Sequence, residues 1–263
     1  MSVEELPAPS AGVRLGEIPP RRLLATITSL ATPVVLGQLA QTLMGLVDTV
    51  MVGRLGERPL AAVAVATLLF SAVAMSIKAV DVAAQSFTAR RVGEGRDDEV
   101  GSILATAVTV SLVAGAVFML VGLIWPQWLI ALVTRDPEVR ELGRSYLVYR
   151  YAGMLPLLFF FQAKAVFDGI GWTRIGMGVG IGMNLVNVLL NWILIFGKLG
   201  APAMGVDGAA WASVASSMAG VIIMFFWTLR TDDRKTFRAY RLTNLDMKVA
   251  KSVSLLSLWS GLA

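Results

Sequence analysis

The chain contains neither cysteine nor histidine, and charged residues make up only 16% of it. Without these two residue types, a structural disulfide, a thiolate metal site, a zinc–histidine site and histidine-based catalysis are all excluded. Soluble domains carry about a quarter charged residues. The scarcity of charge therefore points away from an ordinary soluble domain.

Apolar residues account for 56% of the chain and come in long blocks. Each block is about twenty residues long, which is the length of helix that spans a bilayer core of about 30 Å. A β-barrel would show short alternating segments instead. We therefore predict an all-α polytopic membrane protein with a six-helix transmembrane lobe over residues 23–229. The six apolar blocks are Leu23–Val52, Leu60–Ser86, Ser102–Trp125, Tyr146–Phe167, Ile175–Phe196 and Gly208–Leu229.

A seventh apolar run begins near Val253, and the sequence ends within it at Ala263. This run is too short to cross a bilayer. We expect residues 252–263 to be the start of a truncated seventh helix, and the chain to be a fragment of a longer protein.

Basic residues predict the orientation in the membrane. With the N-terminus placed inside, lysine and arginine in the inner connections outnumber those in the outer ones by about two to one. This bias, rather than nucleic-acid binding, accounts for the net charge of +5. We expect a multi-pass protein of the plasma (inner) membrane, with a cytoplasmic tail at residues 1–22 and a basic cytoplasmic linker at 230–251. Residues 126–145 have apolar residues at helical spacing and predict a short helix on the outer surface.

Asp48 is a carboxylate inside the first apolar block. At the rise of an α-helix it lies about 9 Å from the outer end of that block. A charged residue within a membrane costs about 2.5–3.5 kcal/mol at a helix centre, so it usually marks a functional site. Asp48 is therefore a candidate cation- or proton-binding group, and an aspartate reached by interfacial water is the alternative.

Three amides follow the i, i+3, i+7 spacing of one helix face in the fifth block, at Asn184, Asn187 and Asn191. They either hold helices together or contribute to a site. Helical rise places Asn191 and Ser213 at the depth of Asp48, with Asn187 about one turn deeper. Carboxylate, amide and hydroxyl oxygens bind hard cations. We predict that these residues converge, and that Gln38 and Asn184 are further polar candidates for the cavity.

The remaining features of the blocks have structural interpretations. Lys78 with Asp81, and Lys164 with Asp168, have the i, i+3 and i, i+4 spacings at which opposite charges neutralise each other. Pro33 and Pro156 each remove a helix hydrogen bond and predict a kink, so Pro33 is a candidate hinge. The glycines at positions 176, 178, 180 and 182 predict close helix packing.

Four stretches together resemble the multidrug and toxic compound extrusion (MATE) transporters over residues 25–229. The resemblance implies two six-helix lobes around a cleft, twelve helices in all, and export of organic cations or amphipathic compounds in exchange for H⁺ or Na⁺. This chain would hold the N-terminal lobe and the start of the second, and the missing C-terminal lobe would be its partner. The stretches are PVVLGQLAQTLMGLVDTVMVGRLG (33–56), AQSFTARRVGEGRDDEVG (84–101), GIGWTRIGMGVGIGMNLVNVLLNWILIFG (169–197) and GVDGAAWASVAS (205–216).

The resemblance also implies roles for particular residues. Asp48 matches the family's coupling carboxylate, Asn187 and Asn191 match its polar pair on helix 5, and Ser213 matches the hydroxyl on helix 6. Na⁺ would bind at Asp48, Asn187 and Asn191, and no cofactor beyond the coupling ion is implied. Some members have aspartate where this chain has Asn191, and the loss of that charge favours H⁺ over Na⁺.

Other positions depart from the family pattern, and other functions remain open. Lys78 and Asp81 lie where many relatives have small neutral residues, and Asp168 lies where arginine is common. A lipid-linked oligosaccharide flippase of the same broad superfamily is the main alternative to multidrug antiport. A six-helix half-transporter acting as a homodimer and a membrane-embedded enzyme are weaker ones, and we expect no enzyme because the catalytic inventory is poor.

Overall fold

The computed structural model describes residues 20–230, which form α-helices with short connections and no strand. The cytoplasmic tail, the basic linker and the truncated seventh helix that the sequence predicts fall almost wholly outside these residues. A 3-10 turn at Asp97–Glu99 precedes α3. The helices are α1 Pro20–Gly53, α2 Glu57–Gly93, α3 Val100–Ile124, α4 Pro126–Ala131, α5 Pro137–Ala152, α6 Met154–Ile170, α7 Thr173–Phe196 and α8 Val206–Arg230.

Five of the described helices are long and apolar enough to cross a membrane: α1, α2, α3, α7 and α8. The pair α5 and α6 passes the same test together and makes a sixth crossing, bent by 48°. The predicted all-α membrane fold with six transmembrane segments is therefore confirmed. The first helix begins at Pro20 rather than Leu23, so it takes in the end of the predicted tail.

The fourth crossing begins earlier in the chain than predicted, within the stretch that was expected to form a surface helix. Residues 126–145 do not form one surface helix, because only Pro126–Ala131 is a separate short helix. The charged part of that stretch opens α5, which continues to Ala152 and ends at Gly153. Asp136 starts α5 by accepting hydrogen bonds from the backbone N–H groups of Glu138 and Val139, at 2.9 and 3.1 Å. These bonds, that from Val139 first, hold the pKa of the exposed Asp136 carboxyl below its ordinary value of 3.8.

The bend between α5 and α6 falls at Gly153. A Cβ atom at this position would lie 2.5 Å from Cγ2 of Val214, so glycine allows α8 to pass close to the bend. Pro156 follows in the first turn of α6, where backbone N–H groups have no partner within the helix. Pro156 therefore helps to start a new helix rather than kinking a continuous one.

The helix α1 is continuous through Pro33, so the proline does not interrupt it. It packs chiefly on α7. Only 6% of its apolar stretch is buried among the described residues, against 39% for α8. The helix therefore lies at the edge of the bundle, and the hinge at Pro33 stays a prediction.

Most of the buried core lies where α2, α3, α5 and α6 meet. The ring of Phe70 on α2 meets the edge of Tyr151 on α5, with 5.7 Å between ring centroids. Across the bundle, α7 and α8 pack side by side. They approach closely at Gly208, where a Cβ atom would lie 2.7 Å from the carbonyl of Leu194. This close approach brings the polar residues of α8 to the inward face of α7.

Candidate functional site

The structure brings Asp48, Asn187, Asn191 and Ser213 together as one hydrogen-bonded group, which we call the Asp48 cluster. Nδ2 of Asn191 donates to Oδ1 of Asp48 at 2.5 Å. The same nitrogen lies 2.9 Å from Oδ1 of Asn187 and donates to it. Both asparagines are almost fully buried, at 0% and 1% exposure. The cluster therefore holds one membrane-embedded carboxylate against two buried amides.

Asn187 links Ser213 to the rest of the cluster in either orientation of its amide. In one orientation its Nδ2 donates to Oγ of Ser213 at 3.4 Å, a long contact. In the reversed orientation its nitrogen donates to Oδ1 of Asp48 at 3.0 Å, and its oxygen accepts from the backbone N–H of Ser213 at 3.2 Å. Asn187 therefore reaches either Asn191 or Asp48 on one side, and Ser213 on the other.

The helix repeat explains why these amides are buried. Residues at every fourth position of α7 face the bundle: Val179, Met183, Asn187, Asn191 and Ile195. The two amides thus continue an apolar stripe and pack where apolar residues would otherwise lie. Since a buried amide without partners is costly, they stabilise the bundle only through the hydrogen bonds of the cluster. Asn184 lies outside this stripe and does not join the cluster.

A cavity of about 480 Å³ opens beside the Asp48 cluster. Asp48, Asn184, Asn187 and Ser213 line it, and Met44, Met75, Met154 and Met183 contribute to its apolar wall. Flexible methionine side chains accommodate ligands of different shapes. A second cavity of about 400 Å³ adjoins it, lined by Gln38 and again by Asn184. Both residues predicted as polar cavity candidates therefore lie at a cavity wall, and their role stays a prediction.

Arg150 is a cavity residue that is not among the site residues predicted from the sequence, although it lies within the apolar block Tyr146–Phe167. It lines the first cavity, and its guanidinium lies 4.3 Å above the ring centroid of Phe70. Among the described residues it makes no ion pair, although its charge acts on Asp48. The signal that could have found it is its spacing from Tyr146, four residues earlier on α5, which places both residues on one helix face.

A second group of polar residues lies on α2 and α6, and we call it the Lys78 cluster: Lys78, Asp81, Gln162, Lys164 and Asp168. The predicted ion pair between Lys164 and Asp168 is present, with 2.5 Å between Nζ and Oδ2. The predicted pairing of Lys78 with Asp81 is wrong. Asp81 instead accepts a hydrogen bond from Nε2 of Gln162 at 2.5 Å, and Lys78 lies over the ring of Phe161.

Close helix packing was predicted at four glycines of α7, but the structure shows it at only one of them. A Cβ atom at Gly176 would lie 2.7 Å from Cγ of Lys164, so this glycine makes room for the Lys164–Asp168 pair. Cβ atoms at positions 178, 180 and 182 would meet nothing within 4 Å among the described residues. Three of the four glycines therefore do not mark close packing within the lobe.

The fit of a metal ion can be judged from the donor atoms. Among residues 20–230, no three acidic side chains lie together as a metal site. Nδ2 of Asn191 occupies the space between oxygens of Asp48 and Asn187, and Oδ1 of Asn191 is buried without a partner. Na⁺ needs several converging oxygens. The present arrangement offers them only if the Asn191 amide turns, whereas a proton needs no such space.

Comparison with known proteins agrees with this architecture. A family model described as MatE matches residues 33–193, more than half of the chain. The chain belongs to the MatE family. This is the multidrug and toxic compound extrusion family that the sequence resembles, and its members are transporters, which agrees with the expectation that the chain is not an enzyme.

Individual relatives share moderate identity with the chain. Multidrug resistance protein PmpM of Pseudomonas aeruginosa is 30% identical over 83% of this chain and 45% of its own length. A probable multidrug resistance protein NorM of Halalkalibacterium halodurans is 26% identical over 86% of this chain and 50% of its own length. The chain thus spans about half the length of the curated relatives it matches.

A solved structure supports the same fold. An outward-facing multidrug resistance MATE family transporter superposes with a TM-score of 0.81 at 24% identity, over 90% of this chain and 52% of that one. At this identity the likeness concerns the fold. The chain is therefore a multi-pass membrane protein with the helix arrangement of a MATE lobe.

Proposed function

We propose that the protein is a secondary active multidrug efflux transporter that exchanges organic cations or amphipathic compounds for protons. The observation that carries this proposal is the Asp48 carboxylate, bound by a buried amide inside a membrane-crossing helix. Relatives named multidrug resistance proteins, and the Met-lined cavity beside Asp48, support export of varied compounds.

The proton is favoured over Na⁺ as the coupling ion. The Asp48 cluster contains one carboxylate. The amide nitrogen of Asn191 lies between Oδ1 of Asp48 and Oδ1 of Asn187. A proton binds one carboxylate oxygen directly, while Na⁺ would have to displace that nitrogen. When Asp48 accepts the proton, the charge that Asn191 binds disappears, so the contact between α1 and α7 weakens. Movement of α1 at the Pro33 hinge would then change the cavity as the transporter alternates its access.

The proposal includes a location and a partner. We propose the plasma (inner) membrane as the location, with the N-terminus in the cytoplasm, an orientation that the positive-inside bias supports. Small amphipathic substrates would bind between this lobe and a C-terminal lobe of the same protein. Residues 230–251 would serve as the basic linker between the lobes.

The experiment reconstitutes the complete protein in sodium-free proteoliposomes and follows a fluorescent lipophilic cation driven by a pH gradient. Asp48→Asn keeps the shape of the side chain but cannot exchange a proton, so we expect proton-driven transport to fall to background. Asp98→Asn is the matched control, because Asp98 is exposed in the connection before α3. Proton-driven transport that survives Asp48→Asn would refute the coupling role.

A flippase for lipid-linked oligosaccharides is the second candidate, because Lys78 and Arg150 line the cavities without an ion pair among the described residues. Such a substrate is polyanionic and calls for a positive cavity. Here the described charges lining the two cavities are balanced, with Asp48, Asp81 and Asp168 against Lys78, Arg150 and Lys164. This balance favours export of small amphipathic compounds.

A further inference from the structure

Lys78 is a cavity cation without a direct counter-ion. It lines both cavities and is exposed to them. Within the described part of the chain, no carboxylate oxygen lies within 4.0 Å of Nζ of Lys78, the distance that defines an ion pair. Its Nζ lies 5.9 Å from the ring centroid of Phe161, near the outer limit of a cation–π contact. A carboxylate would bind this ammonium more strongly than the ring does.

Asp81 is the complementary anion, one turn along α2. Its Oδ1 accepts from the amide of Gln162, which is fully buried and therefore fixed in place. No cation among residues 20–230 forms an ion pair with Asp81. It also lines both cavities. The carboxylate is thus held by a neutral donor and presented to the space where a substrate would lie.

The neighbouring charges, Lys164 and Asp168, form no ion pair with these two groups. Lys164 and Asp168 are bonded to each other at 2.5 Å, and the side chain of Asp168 is only 5% exposed. Lys78 and Asp81 therefore carry one charge of each sign, open to the cavity and close to each other on one helix face.

We propose that Lys78 and Asp81 form a binding subsite for zwitterionic amphipathic substrates. Lys78 binds the carboxylate of the substrate, Asp81 binds its ammonium group, and Leu157, Phe161 and Met183 contact its apolar body. A zwitterion keeps the subsite neutral, whereas a simple cation or anion leaves an unmatched charge away from bulk water. The subsite rests on the proposed efflux function and narrows its substrate class.

The test compares two substrates with one skeleton in proteoliposomes of the complete protein. One is an aromatic compound with a carboxylate and an ammonium group, and the other is its methyl ester, which is a simple cation. Lys78→Met removes the partner of the carboxylate alone, so we expect the KM for the zwitterion to rise about tenfold or more. The KM for the ester should fall, since without Lys78 its ammonium group and Asp81 leave no unmatched charge in the subsite.

Controls separate this subsite from a general effect on folding or coupling. Lys78→Arg should restore most of the preference for the zwitterion, while Asp81→Asn should raise the KM of both substrates because both carry the ammonium group. Lys198→Met is the matched lysine control, since Lys198 is exposed outside both cavities. An equal effect of Lys78→Met on both substrates, or none on the zwitterion, would overturn the subsite. If the wild type moved neither substrate against an ion gradient, the efflux function itself would fail.

Discussion

The Asp48 cluster and the Lys78 cluster stabilise charge within the membrane in different ways. In the Asp48 cluster, a single carboxylate is bound by the neutral amide of Asn191. In the Lys78 cluster, two cations and two anions lie together, and Lys164 and Asp168 are bonded directly. One proton therefore changes the net charge at Asp48 from negative to neutral, while the Lys78 cluster is neutral already. A site of the first kind suits ion coupling, and one of the second kind suits binding of a neutral but polar substrate.

The two clusters also lie on different helices. The Asp48 cluster takes its residues from α1, α7 and α8, and the Lys78 cluster takes its residues from α2 and α6. Substitutions can therefore change one cluster and leave the bonds of the other intact.

The largest loss of stability is expected for Lys164→Met. It leaves the buried carboxylate of Asp168 without its cation, and breaking a buried pair from one side costs about 3–5 kcal/mol in the free energy of unfolding. Unfolding titrations of the complete protein in mixed micelles measure this cost. The double variant Lys164→Met/Asp168→Asn removes both charges and should recover most of it. A single variant as stable as the wild type would show that the Lys78 cluster does not depend on charge balance.

A smaller loss of stability, with a large loss of coupling, is expected for Asn191→Leu. It removes the amide that donates to Asp48 and leaves only Asn187 within reach of the carboxylate, which costs about 1–3 kcal/mol. Because about 1.4 kcal/mol corresponds to a factor of ten, a loss of this size should lower proton-driven transport of the lipophilic cation tenfold or more. The matched control is Gln127→Leu on α4, which removes an exposed amide outside the cluster and both cavities. Equal losses of transport in the two variants would mean that the hydrogen bond to Asp48 has no special role.

The smallest effect is expected for Asp136→Ala, which lies outside both clusters. Loss of this helix cap should lower the midpoint of thermal unfolding by a few degrees, without altering proton coupling or the preference for zwitterions. Because the pKa of Asp136 is lowered in the folded protein, its contribution is complete above the ordinary value of 3.8 and is lost as the pH falls through the folded pKa. The difference in midpoint between wild type and variant should therefore vanish in strong acid, and a difference that persists there would contradict the capping role.

The apolar runs predict the fold well because a crossing helix must be long and apolar whatever its neighbours are. The meeting of Asp48, Asn187, Asn191 and Ser213 follows from residue spacing, helical rise and a shared depth in the bilayer. The ends of helices that depend on side-chain caps were harder to predict. The start of α5 depends on the cap at Asp136, which joins the charged stretch after α4 to the fourth crossing.

The side-chain partners of the Lys78 cluster could not be predicted from spacing alone. Lys78 and Asp81 have the separation of a helical ion pair, yet a neighbouring helix supplies Gln162 to the aspartate and Phe161 to the lysine. Those contacts depend on how α2 and α6 pack. The unoccupied space beside Gly178, Gly180 and Gly182 likewise depends on packing.

The bend at Gly153 gives one crossing two independently oriented halves. The half before the bend carries Arg150 toward Asp48, and the half after it carries Phe161 and Lys164 toward the cavities. Under the proposed function, mutations in the second half would alter which compounds are exported, while the ion-coupling part would be inherited unchanged. Drug resistance that broadens by single steps, without loss of pumping, is the behaviour such a divided helix would allow.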